Sequence, residues 1–135
     1  MDETLLVVVH PFVVARTYTR REIHNALGGS MQAYLPTVQQ RVVCGCFKPT
    51  PRYNPDAPEK VTIGRVEDRA EPRLVAQQTD PIPVFLFRES NAWEYMGRYR
   101  CTGLSTDQQL LLREMEANPA RGVIAGVLYF ERVGD

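Results

Sequence analysis

Residues 19–36 read T-R-R-E-I-H-N-A-L-G-G-S-M-Q-A-Y-L-P, and this segment carries the clearest local signals in the sequence. Thr19 followed three residues later by Glu22 is a capping box, in which each side chain accepts a hydrogen bond from the other residue's backbone N–H. A short apolar stripe with helical spacing follows. Gly28 and Gly29 then end the predicted helix, because glycine adopts the left-handed conformation of a helix C-cap without a steric penalty.

Three hydrogen-bonding side chains alternate with apolar residues directly after the glycine pair. They are Ser30, Gln32 and Tyr34. The pattern is compatible with two structures, a tight turn that lines a polar pocket and an ordinary helix cap followed by the start of a strand. The sequence alone favours neither.

The chain has 135 residues, of which 44% are hydrophobic and 24% are charged, as in a globular protein that can bury a core. Its size predicts a single domain over residues 1–135. No apolar run approaches the roughly 20 residues of a membrane helix. The run at residues 5–9 is too short for a signal-peptide core and follows two acids. A cytoplasmic location without membrane association is therefore expected, and three cysteines fit a reducing compartment.

The formal net charge is zero, which argues against nucleic-acid binding by bulk electrostatics. The distribution is less even, because residues 16–52 contain a single acid, Glu22, against a run of basic residues. Most of these are arginines, which suit bidentate phosphate contacts. A GC-rich genome would produce the same arginine content. The predicted phosphate-binding residues are Arg16, Arg20, Arg21, Arg41, Lys48 and Arg52.

Hydrophobic patterning outside this segment predicts an α+β fold, with a curled mixed sheet or small open barrel of five to six strands and two to three short helices. The predicted strands cover residues 5–11, 41–47, 61–64, 83–88, 93–102 and 122–133. Further helices are predicted over residues 68–78 and 105–118, the second opened by a Ser105–Gln108 capping box. Four prolines make residues 48–58 a stiff loop.

No catalytic or metal-binding motif is visible in the sequence. Cys44-Gly-Cys46 lacks the spacing of a zinc site, so these cysteines are predicted to be small core residues. His10 and His24 have no sequence-visible carboxylate or serine partner. Phosphate-binding and nucleophile motifs are absent as well. We therefore expect no cofactor, no bound metal and no enzymatic activity.

Aromatic and amide side chains form a candidate base pocket. Base recognition needs rings for stacking beside groups that hydrogen-bond the base edge. The proline-rich loop offers Asn54 and Asp56, and the strand around Trp93 offers aromatic side chains on one face. The alternative is that these rings belong to the core. The predicted base-pocket residues are Gly28, Gly29, Ser30, Gln32, Tyr34, Asn54, Asp56, Trp93 and Tyr95.

The order Y-T-R-R-E-I-H-N-A-L-G-G-S-M-Q, residues 18–32, resembles the opening of the SRA-like modules of modification-dependent restriction endonucleases. N-P-D-A-P at residues 54–58 and W-E-Y-M-G-R-Y at residues 93–99 are similar to segments of small prokaryotic proteins of that kind. The resemblance implies a PUA-like curled sheet that binds duplex DNA and holds a flipped, modified base. It supports only Gly28, Gly29 and Gln32 as turn and pocket positions.

The resemblance and the side-chain chemistry together predict a non-enzymatic reader of modified bases in double-stranded DNA, used in restriction or defence. No nuclease motif is visible, so a nuclease partner is expected to perform any cleavage. In this hypothesis Gln32, with Asn54 or Asp56, reads the base edge, and Trp93 or Tyr34 stacks on it. Two alternatives stay open. One is a protein-interaction module of a larger assembly, and the other is a small enzyme that acts on nucleotides through a histidine.

Overall fold

The computed structural model describes residues 12–64 and 70–135, which form an α+β fold. The strands of these residues are β1 (Thr17–Tyr18), β2 (Thr37–Val38), β3 (Arg41–Val42), β4 (Gly45–Phe47), β5 (Lys60–Ile63), β6 (Ile82–Glu89), β7 (Ala92–Ser105) and β8 (Gly126–Gly134). The helices are α1 (Arg20–Leu27), α2 (Ala70–Gln77) and α3 (Gln108–Ala117), with a 3-10 turn at Pro119–Arg121. The predicted strand at residues 5–11, His10 and the predicted start of α2 lie outside the described residues.

Six of these strands form one mixed sheet with the order β4-β6-β7-β8-β5, and β1 pairs with the start of β7. β4 runs parallel to β6, and the other pairs are antiparallel. β2 and β3 form a separate two-stranded ribbon. Within the described residues the outer strands β4 and β5 do not pair with each other, so the sheet does not close into a barrel. The predicted α+β class with a curled mixed sheet is confirmed.

Irregular pairing around β7 bends the sheet. The register shifts between Val84 and Phe85 on one side of β7 and between Cys101 and Gly103 on the other. Bulges of this kind increase the local twist and bend a strand. Gly97 adopts a φ of +114°, and a Cβ at this position would lie 2.6 Å from the carbonyl oxygen of Gly134. A side chain at residue 97 would therefore force the two strands apart.

The core consists of two clusters joined by β7. Trp93 and Tyr95 belong to the smaller cluster beneath α1, and Tyr99 and Cys101 belong to the larger one. The residues between them, such as Arg98, are exposed or half-buried. This alternation is what the sequence predicts for β7, since successive side chains of a strand point to opposite faces.

The N-terminal capping box forms as predicted. The Thr19 hydroxyl accepts a hydrogen bond from the Glu22 backbone N–H at 3.0 Å, and the Glu22 carboxylate accepts one from the Thr19 N–H at 2.8 Å. Gly28 caps the C-terminus of α1 with a φ of +85°. Gly29 has a φ of +81°, and a Cβ there would lie 2.7 Å from the Cβ of Pro36. Both glycines are therefore required by the tight reversal after α1.

The apolar run at residues 41–47 forms two strands, although the sequence predicts one. Its first part, β3, pairs with β2, and its last part, β4, pairs with β6. Between them the Val43 N–H donates to the carbonyl of Pro36, and within β4 the Cys46 N–H donates to that of Tyr34. These bonds to residues 34–36 divide the run, because they lead the chain from the ribbon into the main sheet.

Two other predicted boundaries are wrong. Asp107, and not Ser105, is the N-cap of α3, since its carboxylate accepts a hydrogen bond from the Leu110 N–H at 3.0 Å. Ser105 instead ends β7. The last strand begins at Gly126 because the 3-10 turn and a short connection occupy the residues before it. None of the helices in the described part of the chain has the length and apolar character that crossing a membrane requires.

Candidate functional site

A cavity with a volume of about 940 Å³ lies between the two edges of the curled sheet. Residues of both outer strands, β4 and β5, line it, and the segment between α1 and β2 covers one side. Several lining side chains are exposed, so the cavity opens to solvent. Its wall is formed by Arg20, Met31, Gln32, Tyr34, Cys46, Phe47, Lys48, Thr50, Tyr53, Asn54, Thr62, Gly64, Trp93, Arg121 and Val123.

Six of the residues predicted from the sequence line this cavity together. They are Arg20, Gln32, Tyr34, Lys48, Asn54 and Trp93. They come from four separate parts of the chain, namely α1, the segment after it, the loop that follows β4 and the start of β7. The fold thus brings basic, amide and aromatic side chains to one concave surface.

The glycine turn positions this side of the cavity without contributing to its wall. The Ser30 hydroxyl accepts hydrogen bonds from the backbone N–H groups of Gln32 at 3.0 Å and Ala33 at 3.1 Å. Ser30 is therefore engaged within the loop, whereas the Gln32 side chain is exposed and lines the cavity. His24 Nδ1 lies 2.7 Å from the carbonyl oxygen of Gly29, outside the cavity wall.

Arg20 and Trp93 form one stacked unit at the same side. The Nη2 group of Arg20 donates to the carbonyl oxygens of Ser30 and Ala33, both at 2.9 Å. The guanidinium carbon lies 5.1 Å from the centre of the Trp93 ring, within the range of a cation–π contact. Trp93 itself is only 6% exposed. Little of the Trp93 ring is therefore open to a base, and its stacking role stays a prediction.

Cys46 forms part of the wall below Arg20. Its sulfur lies 4.0 Å from that of Cys44, and both thiols are buried. Their mutual hydrogen bond, together with burial, raises the pKa of the Cys44 thiol. Cys44 therefore stays protonated and packs as a small apolar group, whereas the same hydrogen bond lowers the pKa of the Cys46 thiol in the wall.

A hydrogen-bonded network builds the opposite wall. The Asn54 side-chain oxygen accepts from the backbone N–H and the hydroxyl of Thr62, both at 2.7 Å. Arg121 in turn donates from Nε to the Thr62 hydroxyl at 3.0 Å and from Nη2 to the Thr62 carbonyl at 3.2 Å. Asn54 adopts a left-handed φ of 50°, which asparagine tolerates better than most residues. The network therefore fixes the orientation of both Asn54 and Arg121.

Tyr53 lies at the rim of this wall and is 43% exposed. Its backbone N–H donates to the Thr50 hydroxyl at 2.8 Å, and its carbonyl accepts from the Thr50 N–H at 2.8 Å. The guanidinium carbon of Arg121 lies 5.4 Å from the centre of the Tyr53 ring. Tyr53 is therefore a fixed aromatic side chain that faces solvent beside a cation.

Arg121 and Thr62 are site residues that the sequence did not indicate, whereas Tyr53 is an aromatic ring of the proline-rich loop that is not among the predicted base-pocket residues. Arg121 follows Pro119 in a turn, and Thr62 lies 59 residues away in a strand. No local pattern connects the two positions. Tyr53 offered a weak signal, since an aromatic residue in a proline-rich loop is held in a restricted conformation.

The remaining predicted residues lie outside the cavity wall. Tyr95 is fully buried in the smaller core cluster, and burial raises its pKa to about 12, so its inclusion in a base pocket is wrong. Asp56 faces a second cavity of about 200 Å³, where it lies 3.6 Å from Lys60. Arg41 pairs with Asp80 at 2.8 Å. The other positions absent from the wall are Gly28, Gly29, Ser30, Arg16, Arg21 and Arg52.

The charge of the cavity wall has one sign. Arg20, Lys48 and Arg121 line it, and none of its described lining residues is aspartate or glutamate. Lys48 Nζ lies 5.1 Å from the centre of the Phe87 ring. The described part of the chain contains no group of three or more metal-ligating side chains close enough to hold a metal ion. The site is thus a cationic, aromatic cavity that suits an acceptor-rich ligand.

The fold and the cavity define a small α+β domain with a ligand-sized cationic cleft. The chain belongs to the family described as "Domain of unknown function (DUF6697)", whose model matches residues 17–123. These residues include every lining residue of the cavity, from Arg20 to Val123. Neither a curated protein nor a solved structure matches the chain.

Proposed function

We propose that the protein recognises modified bases in double-stranded DNA by accepting a flipped nucleotide into the cavity. One observation carries the proposal, namely that a cleft with three cations and no carboxylate among its described lining residues also contains amide side chains and aromatic rings. Flipped bases are held by hydrogen bonds to their edges and by contacts with aromatic or apolar side chains. Basic groups nearby provide the salt-dependent attraction to DNA phosphates.

The residues have separate roles in this proposal. Gln32 is exposed at the mouth and reads the edge of the base with its amide. Asn54 presents its amide N–H groups, because its side-chain oxygen is occupied by Thr62. Tyr34 and Tyr53 provide the aromatic surface, and Trp93 holds Arg20 in place. The reader role requires no catalytic group, and any cleavage is assigned to a nuclease partner.

Fluorescence anisotropy with matched duplexes tests the proposal. The duplexes carry one hydroxymethylated, methylated or unmodified cytosine, and binding is measured at low and moderate salt. We expect a preference for one modified duplex and an affinity that falls as salt rises, with a slope that corresponds to only a few phosphates. No binding to any of the three duplexes at low salt would contradict the proposal and favour the protein-interaction alternative.

Gln32→Ala is the variant that distinguishes reading from general attraction. Loss of a direct contact to the base edge costs about 1–3 kcal/mol of binding free energy, so the preference among the three duplexes is expected to weaken. Gln77→Ala is the matched control, because Gln77 is exposed on α2 and does not line the cavity. Equal discrimination by Gln32→Ala and the unmodified protein would remove Gln32 from the reading role.

A further inference from the structure

The position of the cations in the cavity restricts the kind of group that can occupy it. A flipped base is uncharged near neutral pH, and in duplex DNA the charge lies on the phosphates outside a base pocket. Here Arg20, Lys48 and Arg121 belong to the wall itself, and no described lining residue carries a negative charge. An uncharged base would bring no negative charge to these cations, of which Arg121 also borders the second cavity with Asp56 and Glu114. The wall therefore suits a ligand that brings an anionic group inside.

Arg121 is the cation best prepared to bind such a group. Its Nε and Nη2 groups donate to the hydroxyl and carbonyl of Thr62, and its guanidinium carbon lies 5.4 Å from the centre of the Tyr53 ring. A guanidinium held on one side in this way keeps its orientation before the ligand arrives. Arginine offers donors in a fixed fork that matches phosphate oxygens. The ion pairs formed among the described residues do not include Arg121.

The other donors of the cavity favour the same class of ligand. The oxygen of the Asn54 amide accepts two hydrogen bonds from Thr62, so its N–H groups are the part left to bind a ligand. Lys48 is exposed and presents an ammonium group, which can only donate. The three cations of the wall can only donate, so they favour a ligand rich in acceptors. Phosphate oxygens and base carbonyls meet this requirement.

The size of the cavity agrees with a ligand larger than one base. Its volume of about 940 Å³ lies near the upper end of the roughly 300–1,000 Å³ found for sites that bind drug-sized molecules. A single pyrimidine ring would fill only a small part of this space. A base with its sugar and phosphate fills more of it and places an anion in the cavity.

We infer that the cavity binds a whole nucleotide, with the phosphate at Arg121 and Lys48 and the base towards Gln32 and Tyr34. The choice of a nucleotide as ligand rests on the proposed function. The inference differs from that function in one respect, since it requires that a free mononucleotide binds without a duplex.

Isothermal titration calorimetry on the full chain compares deoxycytidine monophosphate, deoxycytidine and inorganic phosphate. The nucleotide is expected to bind about tenfold more tightly than the nucleoside or the phosphate alone, because only the nucleotide contacts both ends of the cavity. Arg121→Lys keeps the positive charge but loses the planar set of guanidinium N–H donors. It is expected to remove most of the tighter binding of the nucleotide. Arg100→Lys is the matched control on an ion-paired surface arginine.

Equal affinity for nucleotide and nucleoside would overturn the inference, as would equal affinity for the nucleotide and inorganic phosphate or no binding of the nucleotide. If Arg121→Lys lowers the melting temperature, Lys48→Met replaces it as the test variant, because Lys48 is exposed. The affinity advantage of the nucleotide over the nucleoside is then expected to fall several-fold. Duplex binding without nucleotide binding contradicts only this inference. Nucleotide binding without duplex binding contradicts only the reader function.

Discussion

The two sides of the sheet use arginine in opposite ways. On the outer surface of β6, β7 and β8, arginines pair with carboxylates: Arg88 with Glu94 at 2.6 Å and Arg100 with Glu131 at 3.1 Å. In the cavity, Arg20 and Arg121 donate to backbone carbonyls and a hydroxyl, and they lie against aromatic rings. The first group neutralises its own charge, whereas the second group fixes the direction of its donors and keeps its charge.

This difference explains how a chain with zero formal net charge can contain a cationic site. Six ion pairs of the described residues compensate cations outside the wall of the large cavity. The net charge of the chain therefore says little about the local electrostatic potential, because charges more than a Debye length apart are screened from one another. What matters for a ligand is the sign of the charges that face it.

Arg20→Met tests how much a cavity arginine contributes to the stability of the fold. It removes two hydrogen bonds from a charged donor to backbone carbonyls and the cation–π contact with Trp93, so we expect a loss of about 2–3 kcal/mol in the free energy of unfolding. Urea unfolding measures it. Arg21→Met is the control, since Arg21 is exposed on the same helix and should change stability by less than about 0.5 kcal/mol. Equal effects would contradict a structural difference between the cavity arginine and the surface arginine.

Arg121→Met and Arg100→Met separate the two groups by ligand affinity. Loss of Arg121 is expected to weaken binding of the preferred duplex by about 1–2 kcal/mol, roughly tenfold, and to reduce the salt slope by about one. Arg100 pairs with Glu131 on the outer surface, so Arg100→Met should change affinity less than about twofold. Anisotropy titrations at several salt concentrations measure both quantities. A larger loss with Arg100→Met would place the DNA on the outer surface.

Thr62→Val removes the hydroxyl that connects Arg121 to Asn54 and keeps the shape of the side chain. We expect a loss of about 1 kcal/mol in unfolding free energy, because one hydroxyl donates to Asn54 and accepts from Arg121. Thr62→Ser retains the hydroxyl and is the control. Thermal and urea unfolding measure stability. A stable Thr62→Val variant with unchanged ligand binding would mean that the network does not position Arg121.

The pair of Lys60 and Glu114, 3.0 Å apart, gives the smallest expected effect. The hydrogen bond that Lys60 donates to the Glu114 carboxylate raises the pKa of Lys60 above its ordinary value of 10.5. Folding therefore favours the protonated amine, so this stabilisation is fully present below pH 10.5 and is lost as the pH rises through the raised value. Glu114→Gln should cost a few tenths of a kcal/mol at neutral pH. Urea unfolding from about pH 8 to about pH 11.5 measures the difference in free energy of unfolding between the protein and Glu114→Gln. This difference should shrink as the pH rises, and a difference that grows would contradict the assignment.

The elements that the sequence predicted well depend on interactions between close neighbours. The capping box joins Thr19 to Glu22, three residues apart, and Gly28 ends the same helix. The alternation along β7 requires only that one face is buried. The division of the run at residues 41–47 was missed because contacts from outside that run decide it. Residues 41–47 divide because Pro36 and Tyr34 offer carbonyls to that run.

The candidate site shows the same limit at the level of single residues. Chemistry alone selected Gln32, Asn54 and Arg20 as ligand-binding types, and the fold gathers them around one cavity. Chemistry alone also selected Tyr95, which is buried, because a sequence does not reveal which part of a strand is covered by another element. Arg121 was missed, since nothing near it in the chain distinguishes it from the surface arginines.

Local patterns along the chain were enough to establish the α+β class, the capped helix with its glycine reversal, and the supply of basic, amide and aromatic side chains. These follow from propensity, periodicity and side-chain chemistry, which act over a few residues. The tertiary structure alone decided which cations have carboxylate partners and which face the cavity. The physical reason is distance along the chain: Arg121 meets Thr62 across 59 residues, and only the curling of the sheet brings its two edges around one space.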